Sequence, residues 1–192
     1  PGLFRLYQHP ETGESWIVLR HGQVGEEFIY FSHYVDGIAS TWQGRGVFND
    51  SYIISIERHF DRIAFVRENT AYTFDPDSAL SRAADANIGR AVLASIEIEA
   101  ESKQQIVLKL DDLFLKETFL QVSPRPPADD APKDAFRLGK VSEDKTRFVA
   151  LKSYPKNSAI TVEYAFENQL PENTNSLGRE ITDPRNVSIR VQ

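Results

Sequence analysis

Apolar and polar residues alternate with a period of two along most of this chain. The clearest run extends from Ile160 to Phe166, where every second residue is large and apolar. This alternation is typical of a β-strand that buries one face and exposes the other. The same pattern predicts further strands over residues 3–8, 15–19, 28–34, 52–59, 63–68, 92–99, 105–110, 148–152 and 187–191.

Short turn signals join several of these strands. The segment from His9 to Gly13, which contains Pro10, predicts a hairpin between the first two strands. The residues Phe60-Asp61-Arg62 connect the strand over 52–59 to the strand over 63–68. Connections this short favour antiparallel pairing over βαβ crossovers. We therefore predict a mainly β fold of antiparallel sheets, either a sandwich or an open barrel, with one or two short helices.

Helix signals are few. The segment Asp75-Pro76-Asp77-Ser78 can cap a short helix that runs to about Asn87, with Gly89 as its stop. Asp111 is expected to cap a brief helical turn over residues 113–116.

Two polar stretches interrupt the alternation. The segment 123–132 contains four prolines, which cannot join a sheet ladder, and residues 169–185 are rich in Asn, Pro and charge. We predict a single β-rich domain over residues 1–192, with a mobile loop at 123–134 and a long hairpin excursion at 169–185.

Composition excludes several classes of function. The 192 residues are 41% hydrophobic and 26% charged, with a net charge of −6, so the chain can form a core but lacks the basic surface that nucleic acids need. No apolar stretch approaches the ~18 residues of a membrane span. Cysteine is absent, which excludes disulfides and thiolate metal sites.

Methionine is absent from the chain too. Because the chain starts at Pro1 and finishes in a strand pattern, we expect it to be part of a longer protein.

No motif in the chain indicates catalysis. The four histidines, His9, His21, His33 and His59, lack the i, i+4 spacing of a helical zinc pair. Single surface or structural roles are the expected interpretation, although strands that bring them together could still form a site.

Other candidate groups have structural explanations as well. Adjacent carboxylates point apart on a strand, so the pairs Asp111-Asp112 and Asp129-Asp130 are poor acid–base partners. The glycines of Gly44-Arg45-Gly46 predict a flexible connection rather than a phosphate cradle, since no lysine follows them. The aromatic residues, including Trp16 and Trp42, could line a ligand groove, but core or cross-strand pairing is the more common role. We predict no catalytic, cofactor-binding or metal-binding residue.

Several segments resemble the region upstream of the catalytic domain in large bacterial zinc-dependent metalloproteases of metzincin type. They occur in the family's order across nearly the whole chain: Gly2-Leu3-Phe4-Arg5-Leu6-Tyr7 with Thr12-Gly13, Gly25-Glu26-Glu27-Phe28-Ile29-Tyr30, Gly44-Arg45-Gly46, Ile56-Glu57-Arg58, Asp61-Arg62-Ile63-Ala64-Phe65-Val66 and Lys152-Ser153-Tyr154-Pro155-Lys156-Asn157.

This resemblance implies a non-catalytic N-terminal accessory domain of an exported zinc metalloprotease, located in the periplasm or outside the cell. The family's H-E-x-x-H motif lies beyond the matched region, and this chain has no such motif. The implied partner is the downstream catalytic domain of the same polypeptide, which would hold the zinc, and the domain would support or cover it. The alternative is a peptide- or glycan-binding module of a secreted bacterial protein. An independent enzyme is a third, weaker alternative.

Overall fold

Eleven β-strands form one antiparallel sheet in the computed structural model, which describes residues 2–39, 43–75, 77–81, 83, 88–119, 122, 136, 138–171, 174 and 180–192. The strands are β1 (Arg5–Gln8), β2 (Ser15–Arg20), β3 (Glu27–Asp36), β4 (Phe48–His59), β5 (Arg62–Arg67), β6 (Ala91–Glu101), β7 (Gln105–Lys109), β8 (Lys140–Val141), β9 (Arg147–Tyr154), β10 (Asn157–Glu167) and β11 (Asn186–Val191). The defined helical elements are a 3-10 turn (His21–Gln23) and α1 (Asp111–Phe114), and residues 79–81 and 83 are helical as well.

The sheet curls into an open barrel. Its strand order is β1-β2-β7-β6-β5-β4-β3-β11-β10-β8, and β9 also pairs with β10. The segment before β1 approaches the end of β9, where the N–H of Leu3 donates to the carbonyl oxygen of Tyr154 at 2.7 Å. The main-chain carbonyl of Phe4 accepts a hydrogen bond from Ser153 Oγ. The prediction of a mainly β, antiparallel fold is therefore confirmed.

Local turn chemistry closes the predicted hairpins. In the β1–β2 turn, His9 Nδ1 accepts hydrogen bonds from the N–H groups of Glu11 and Thr12, both at 3.2 Å. Between β4 and β5, Phe60 adopts a left-handed conformation with φ of 56°. This conformation lets His59 and Arg62 pair directly across the turn.

The core consists of two hydrophobic clusters inside the barrel. One cluster is formed mainly by β2, β4, β5, β6 and β7 and contains Leu19, Ile63 and Leu108. The other is formed mainly by β10 and β11 and contains Tyr164 and Ile189. Phe114, Phe148 and Ile160 pack against both clusters and join them. The sheet therefore encloses a shared apolar interior.

Several sequence predictions differ from the structure in detail. Leu110 is the N-cap of α1, and the Asp111 side chain instead accepts the N–H of Ser15 at 3.3 Å. The two-residue strand β8 has too few residues to show alternation. Asp75 Oδ1 accepts the N–H of Asp77 as a cap would, and residues 79–81 and 83 of the predicted helix are helical. Residues 76, 82 and 84–87 of that segment lie outside the described residues. So do all of the loop predicted at 123–134 and part of the excursion at 169–185.

Candidate functional site

An apolar cavity of about 700 Å³ lies inside the barrel, between β3 and β10. Eight aromatic side chains belong to residues that line it: Phe4, Phe28, Tyr30, Phe31, Phe65, Phe114, Phe119 and Tyr164. A cavity of this size is typical of sites that bind a ligand or a peptide side chain.

The aromatic rings form a continuous packed set along the cavity. Tyr30 stacks on Tyr52 with 4.7 Å between ring centroids, and Tyr30 and Phe119 are 5.5 Å apart. Phe119 in turn contacts Phe114 at 5.3 Å and Phe65 at 6.1 Å. Offset and edge-to-face contacts at these distances are attractive. The rings therefore give the cavity a rigid wall.

Buried hydroxyl groups fix this wall to the backbone. Tyr164 donates to the carbonyl oxygen of Phe114 at 2.6 Å, and Tyr52 donates to that of Phe119 at 3.1 Å. Burial raises the pKa of both Tyr30 and Tyr164 well above the ordinary value of tyrosine. These phenols therefore remain neutral hydrogen-bond donors over the physiological pH range.

The cavity opens to the outside through a gap in the sheet, which we name the β3–β10 slot. Its edges are residues 27–32 of β3 and 157–161 of β10. Strand β11 lies between β3 and β10 further along, where Val162 pairs with Val191. Gln192 exchanges two backbone hydrogen bonds with His33, at 2.9 and 3.0 Å. Gln192 is the last residue of the sequence, so the slot begins where β11 stops.

The outer face of the β3–β4 hairpin beside the slot carries exposed apolar side chains. Ile29 is 81% exposed, Phe31 56% and Phe48 57%. The rings of Phe31 and Phe48 lie 5.6 Å apart, so these side chains form one surface, which we name the β3 patch. Contiguous apolar surface of this kind marks interaction sites in soluble proteins.

The structure separates the four histidines into distinct roles. His9 orders the β1–β2 turn, His21 Nε2 lies 2.9 Å from the carbonyl oxygen of Ser102, and exposed His59 lies 3.4 Å from Glu57. His33 lines the cavity at the closed end of the slot. Its Nδ1 atom is buried and has no hydrogen-bond partner among the described residues. Within those residues, no three His, Asp or Glu side chains lie together as a metal site requires.

The carboxylates of Asp111 and Asp112, which lie in α1 and not on a strand, have different partners. Burial raises the pKa of Asp111, whose carboxylate accepts the N–H of Ser15, whereas Asp112 forms an ion pair with Lys116 at 3.0 Å. Asp129 and Asp130 lie outside the described residues.

The connection expected to be flexible at residues 44–46 is a hydrogen-bonded turn. The N–H of Gly46 donates to the carbonyl oxygen of Tyr34 at 2.7 Å, and that of Val47 donates to Gly44 at 3.1 Å. Gly46 has φ of +79°, which favours glycine. This turn ties the start of β4 to β3, so residues 44–46 have a structural role.

The two tryptophans do not form the aromatic groove considered from the sequence. Trp16 lies between Tyr7 and Lys109 in the sheet and is absent from the cavity lining. Trp42 lies outside the described residues. Phenylalanine and tyrosine line the cavity instead. One sequence signal could have indicated this cavity. Residues 28–31 are all apolar, without alternation, which indicates a strand with apolar side chains on both faces.

Comparisons with known proteins give one match. A family model described as Domain of unknown function (DUF5117) matches residues 47–191, more than half of the chain. The match covers β4 to β11 and leaves β1, β2 and β3 outside. No curated protein and no solved structure matches the chain. In the part of the chain that the structure describes, no helix has the length and apolar character needed to cross a bilayer.

Proposed function

The chain belongs to the DUF5117 family, and from this premise we propose that it is a non-catalytic accessory domain of an exported zinc metalloprotease. In this proposal the domain docks onto the downstream catalytic domain of the same polypeptide and supports or covers it. The location would be periplasmic or extracellular. The protease context comes from the sequence resemblance, and the docking role comes from the surface of the barrel.

The observation that carries the docking role is the β3 patch beside an open apolar slot. Phe28 and Tyr30 pack against the core cluster, whereas Ile29 and Phe31 on the opposite face of β3 leave most of their surface exposed. Exposing this much apolar surface is unfavourable by roughly 25 cal/mol per Å². A partner surface that covers the patch would recover that free energy.

A second function is recruitment of a separate peptide, which the apolar, aromatic lining of the cavity favours. A glycan-binding role has weaker support, since apolar side chains dominate the lining of the cavity, whereas sugars need several converging polar groups.

Docking can be tested with the catalytic domain of the same polypeptide, purified separately. We expect calorimetry to detect binding of the 192-residue chain, and Phe31→Asp to weaken it at least about thirtyfold, as for a central aromatic contact. Phe60→Asp is the matched control, because Phe60 is 94% exposed at the opposite end of β4 from Phe48. Equal losses in the two variants, or no binding by the parent chain, would contradict the docking role.

The protease context has its own test. We expect the reading frame that encodes this chain to contain an H-E-x-x-H motif beyond Gln192. A frame without such a motif would contradict the metalloprotease part of the proposal and would leave the docking role to be judged on the binding data.

We further propose that this chain needs no cofactor and has no peptidase activity by itself. Zinc catalysis requires three protein ligands and an open position for water. The chelator-free chain should therefore neither retain stoichiometric zinc nor cleave an unfolded protein substrate. Zinc binding and cleavage that are both lost in His33→Ala or His59→Ala would make the chain a hydrolase in its own right.

A further inference from the structure

We infer that a second cavity, on the outer face of the barrel, binds a neutral oligosaccharide. This cavity has a volume of about 660 Å³ and lies between the outer face of β4 and the connection from β5 to β6. We name it the outer cleft, and the lining residues that carry the inference are Ser55, Glu57, Glu68, Tyr72, Phe74 and Arg90. It is a different surface from the β3 patch, so the inference does not depend on the docking role.

The alternation of β4 places polar side chains on the outer face of the sheet. Ile54 and Ile56 belong to the first core cluster, so Ser55 and Glu57 point to the opposite face. On the neighbouring strand β5, Val66 pairs with Ser55 and is buried although it shares this outer face. The β5–β6 connection therefore covers this part of the sheet, and the outer cleft lies between the two.

A hydrogen-bonded network fixes the charged groups of the outer cleft. Arg90 Nη1 donates to Glu57 Oε1 at 2.5 Å and to Glu68 Oε1 at 3.1 Å. The hydroxyl group of Ser55, a buried residue, donates to the same Glu68 oxygen at 2.5 Å. These residues come from β4, from the end of β5 and from the start of β6, and they hold one another in place before a ligand arrives. Such preorganisation lowers the entropic cost of binding.

The network leaves hydrogen-bond donors and acceptors side by side. No described residue accepts a hydrogen bond from Arg90 Nη2 or donates one to Glu68 Oε2. The hydrogen bond from Arg90 holds the pKa of Glu57 below its usual value, so this carboxylate is ionised at neutral pH and is a strong acceptor. A sugar hydroxyl both donates and accepts, so two neighbouring hydroxyls can bond to a carboxylate and a guanidinium group together.

Two aromatic side chains supply the apolar contact of the outer cleft. The rings of Tyr72 and Phe74 lie 6.4 Å apart and are nearly parallel, with 15° between their planes. Neither residue belongs to a core cluster, and Tyr72 is 63% exposed. The C–H groups on one face of a pyranose ring carry partial positive charge, which the negative face of an aromatic ring attracts. The outer cleft thus combines an aromatic surface with the converging polar groups that the apolar cavity lacks.

The charges of the outer cleft disfavour other classes of ligand. Its described lining includes three glutamates, Glu27, Glu57 and Glu68, against one arginine, so an anion is repelled. A small cation would have to displace Arg90 from two carboxylates, and no three acidic or histidine side chains of the described residues converge as a metal site requires. An apolar ligand would desolvate the polar network without bonding to it. A neutral polyol satisfies both signs of charge.

Three neutral trisaccharides are suitable probes: maltotriose, cellotriose and tri-N-acetylchitotriose, which differ in linkage or in the acetamido group. We expect calorimetry with the 192-residue chain to show one-to-one binding of at least one of them, with a Kd below about 1 mM. Trigalacturonate has the same number of rings but carries carboxylates. It should bind at least about tenfold more weakly than the best neutral probe, because the glutamates of the outer cleft repel it.

Variants of two exposed tyrosines locate the binding site. Tyr72→Ala should weaken binding of the best neutral probe by roughly three- to tenfold, because it removes one stacking surface. Tyr7→Ala is the matched control, because Tyr7 is 54% exposed on β1 and does not line the outer cleft. We expect this control to stay within about twofold of the parent chain.

A third variant separates a binding role of the network from a structural one. Glu68→Gln keeps the shape of the side chain but removes its charge, and should weaken binding at least about tenfold. A network that only stabilises the fold would instead give a lower urea midpoint with unchanged affinity. If Glu68→Gln does not fold, the comparison of Tyr72→Ala with Tyr7→Ala decides the question, since both tyrosines are exposed.

Four results would overturn the inference. The first is no binding of any neutral probe at about 10 mM. The second is equal affinity for trigalacturonate, which would place the ligand away from the glutamates. The third is an equal loss in the two tyrosine variants, and the fourth is unchanged affinity in a folded Glu68→Gln variant. None of these measurements uses the protease domain, so their outcome leaves the docking proposal to its own test.

Discussion

Two isoleucine-to-alanine substitutions test whether the apolar cavity belongs to the folded barrel. Ile54 and Ile63 lie on neighbouring strands and have nearly equal exposure, 7% and 0%. Both belong to the first core cluster, but Ile54 also lines the cavity, whereas Ile63 does not. The same three carbon atoms are therefore removed from two different settings.

The expected magnitudes follow from transfer and cavity contributions. Removing three buried carbons costs about 2.4 kcal/mol, at about 0.8 kcal/mol per methylene. In a close-packed core the new void adds a further contribution, which brings the loss to about 3–5 kcal/mol for Ile63→Ala. At Ile54 the void merges with a cavity that already opens through the slot, so little is added. We expect Ile54→Ala to cost about 2–3 kcal/mol.

Urea denaturation measures both losses, provided that the slope of the free energy of unfolding against urea is unchanged. The quantity to compare is the difference between the two losses in free energy of unfolding. Errors in the surface area assumed for the unfolded chain largely cancel between two variants that remove the same atoms. Losses that are equal, or larger for Ile54→Ala, would refute the open cavity. An unchanged midpoint for Ile54→Ala would mean that the register of β4 is wrong.

Two further predictions concern polar contacts. Tyr164→Phe should lower the free energy of unfolding by about 1–3 kcal/mol in urea titrations, because it leaves the buried Phe114 carbonyl without its donor; a change below about 0.5 kcal/mol would argue against that bond. For Glu163, burial acts to raise the pKa, but hydrogen bonds from Arg147 and Arg190 outweigh it and hold the pKa below its usual range. A lowered folded pKa stabilises the fold fully above the ordinary value of about 4.3 and progressively less as pH falls through the folded value. Glu163→Gln should therefore cost about 1 kcal/mol at pH 7 and approach the parent stability in acid; a loss that is the same at both pH values would contradict this mechanism.

Several strands were predictable because apolar residues alternate along them. Tyr164 in β10 and Ile54 in β4 lie on the apolar side of such runs and are buried, at 0% and 7% exposure. In β5 both faces are buried, from Ile63 to Val66, and the turn at Phe60-Asp61 limits its start. The strand β8 has only two residues, too few to produce a periodic signal.

The cavity and the slot were not predictable from alternation. Both depend on which strands are neighbours, and the order in the sheet places β11 between β3 and β10 although β3 and β10 are far apart in sequence. Local patterns carry no information on such distant pairings. The role of Asp111 was missed for the same reason, since its partner Ser15 is 96 residues away in the chain.

The family match and the structural barrel have different boundaries, and the difference bears on function. Residues 47–191 include β10, which supplies one edge of the slot, but β3, which supplies the other edge and most of the β3 patch, precedes the matched segment. Strand β3 pairs with β4 from Glu27 to His33, and Phe28 and Tyr30 pack against the main core cluster. The matched segment alone would therefore leave one side of β4 unpaired.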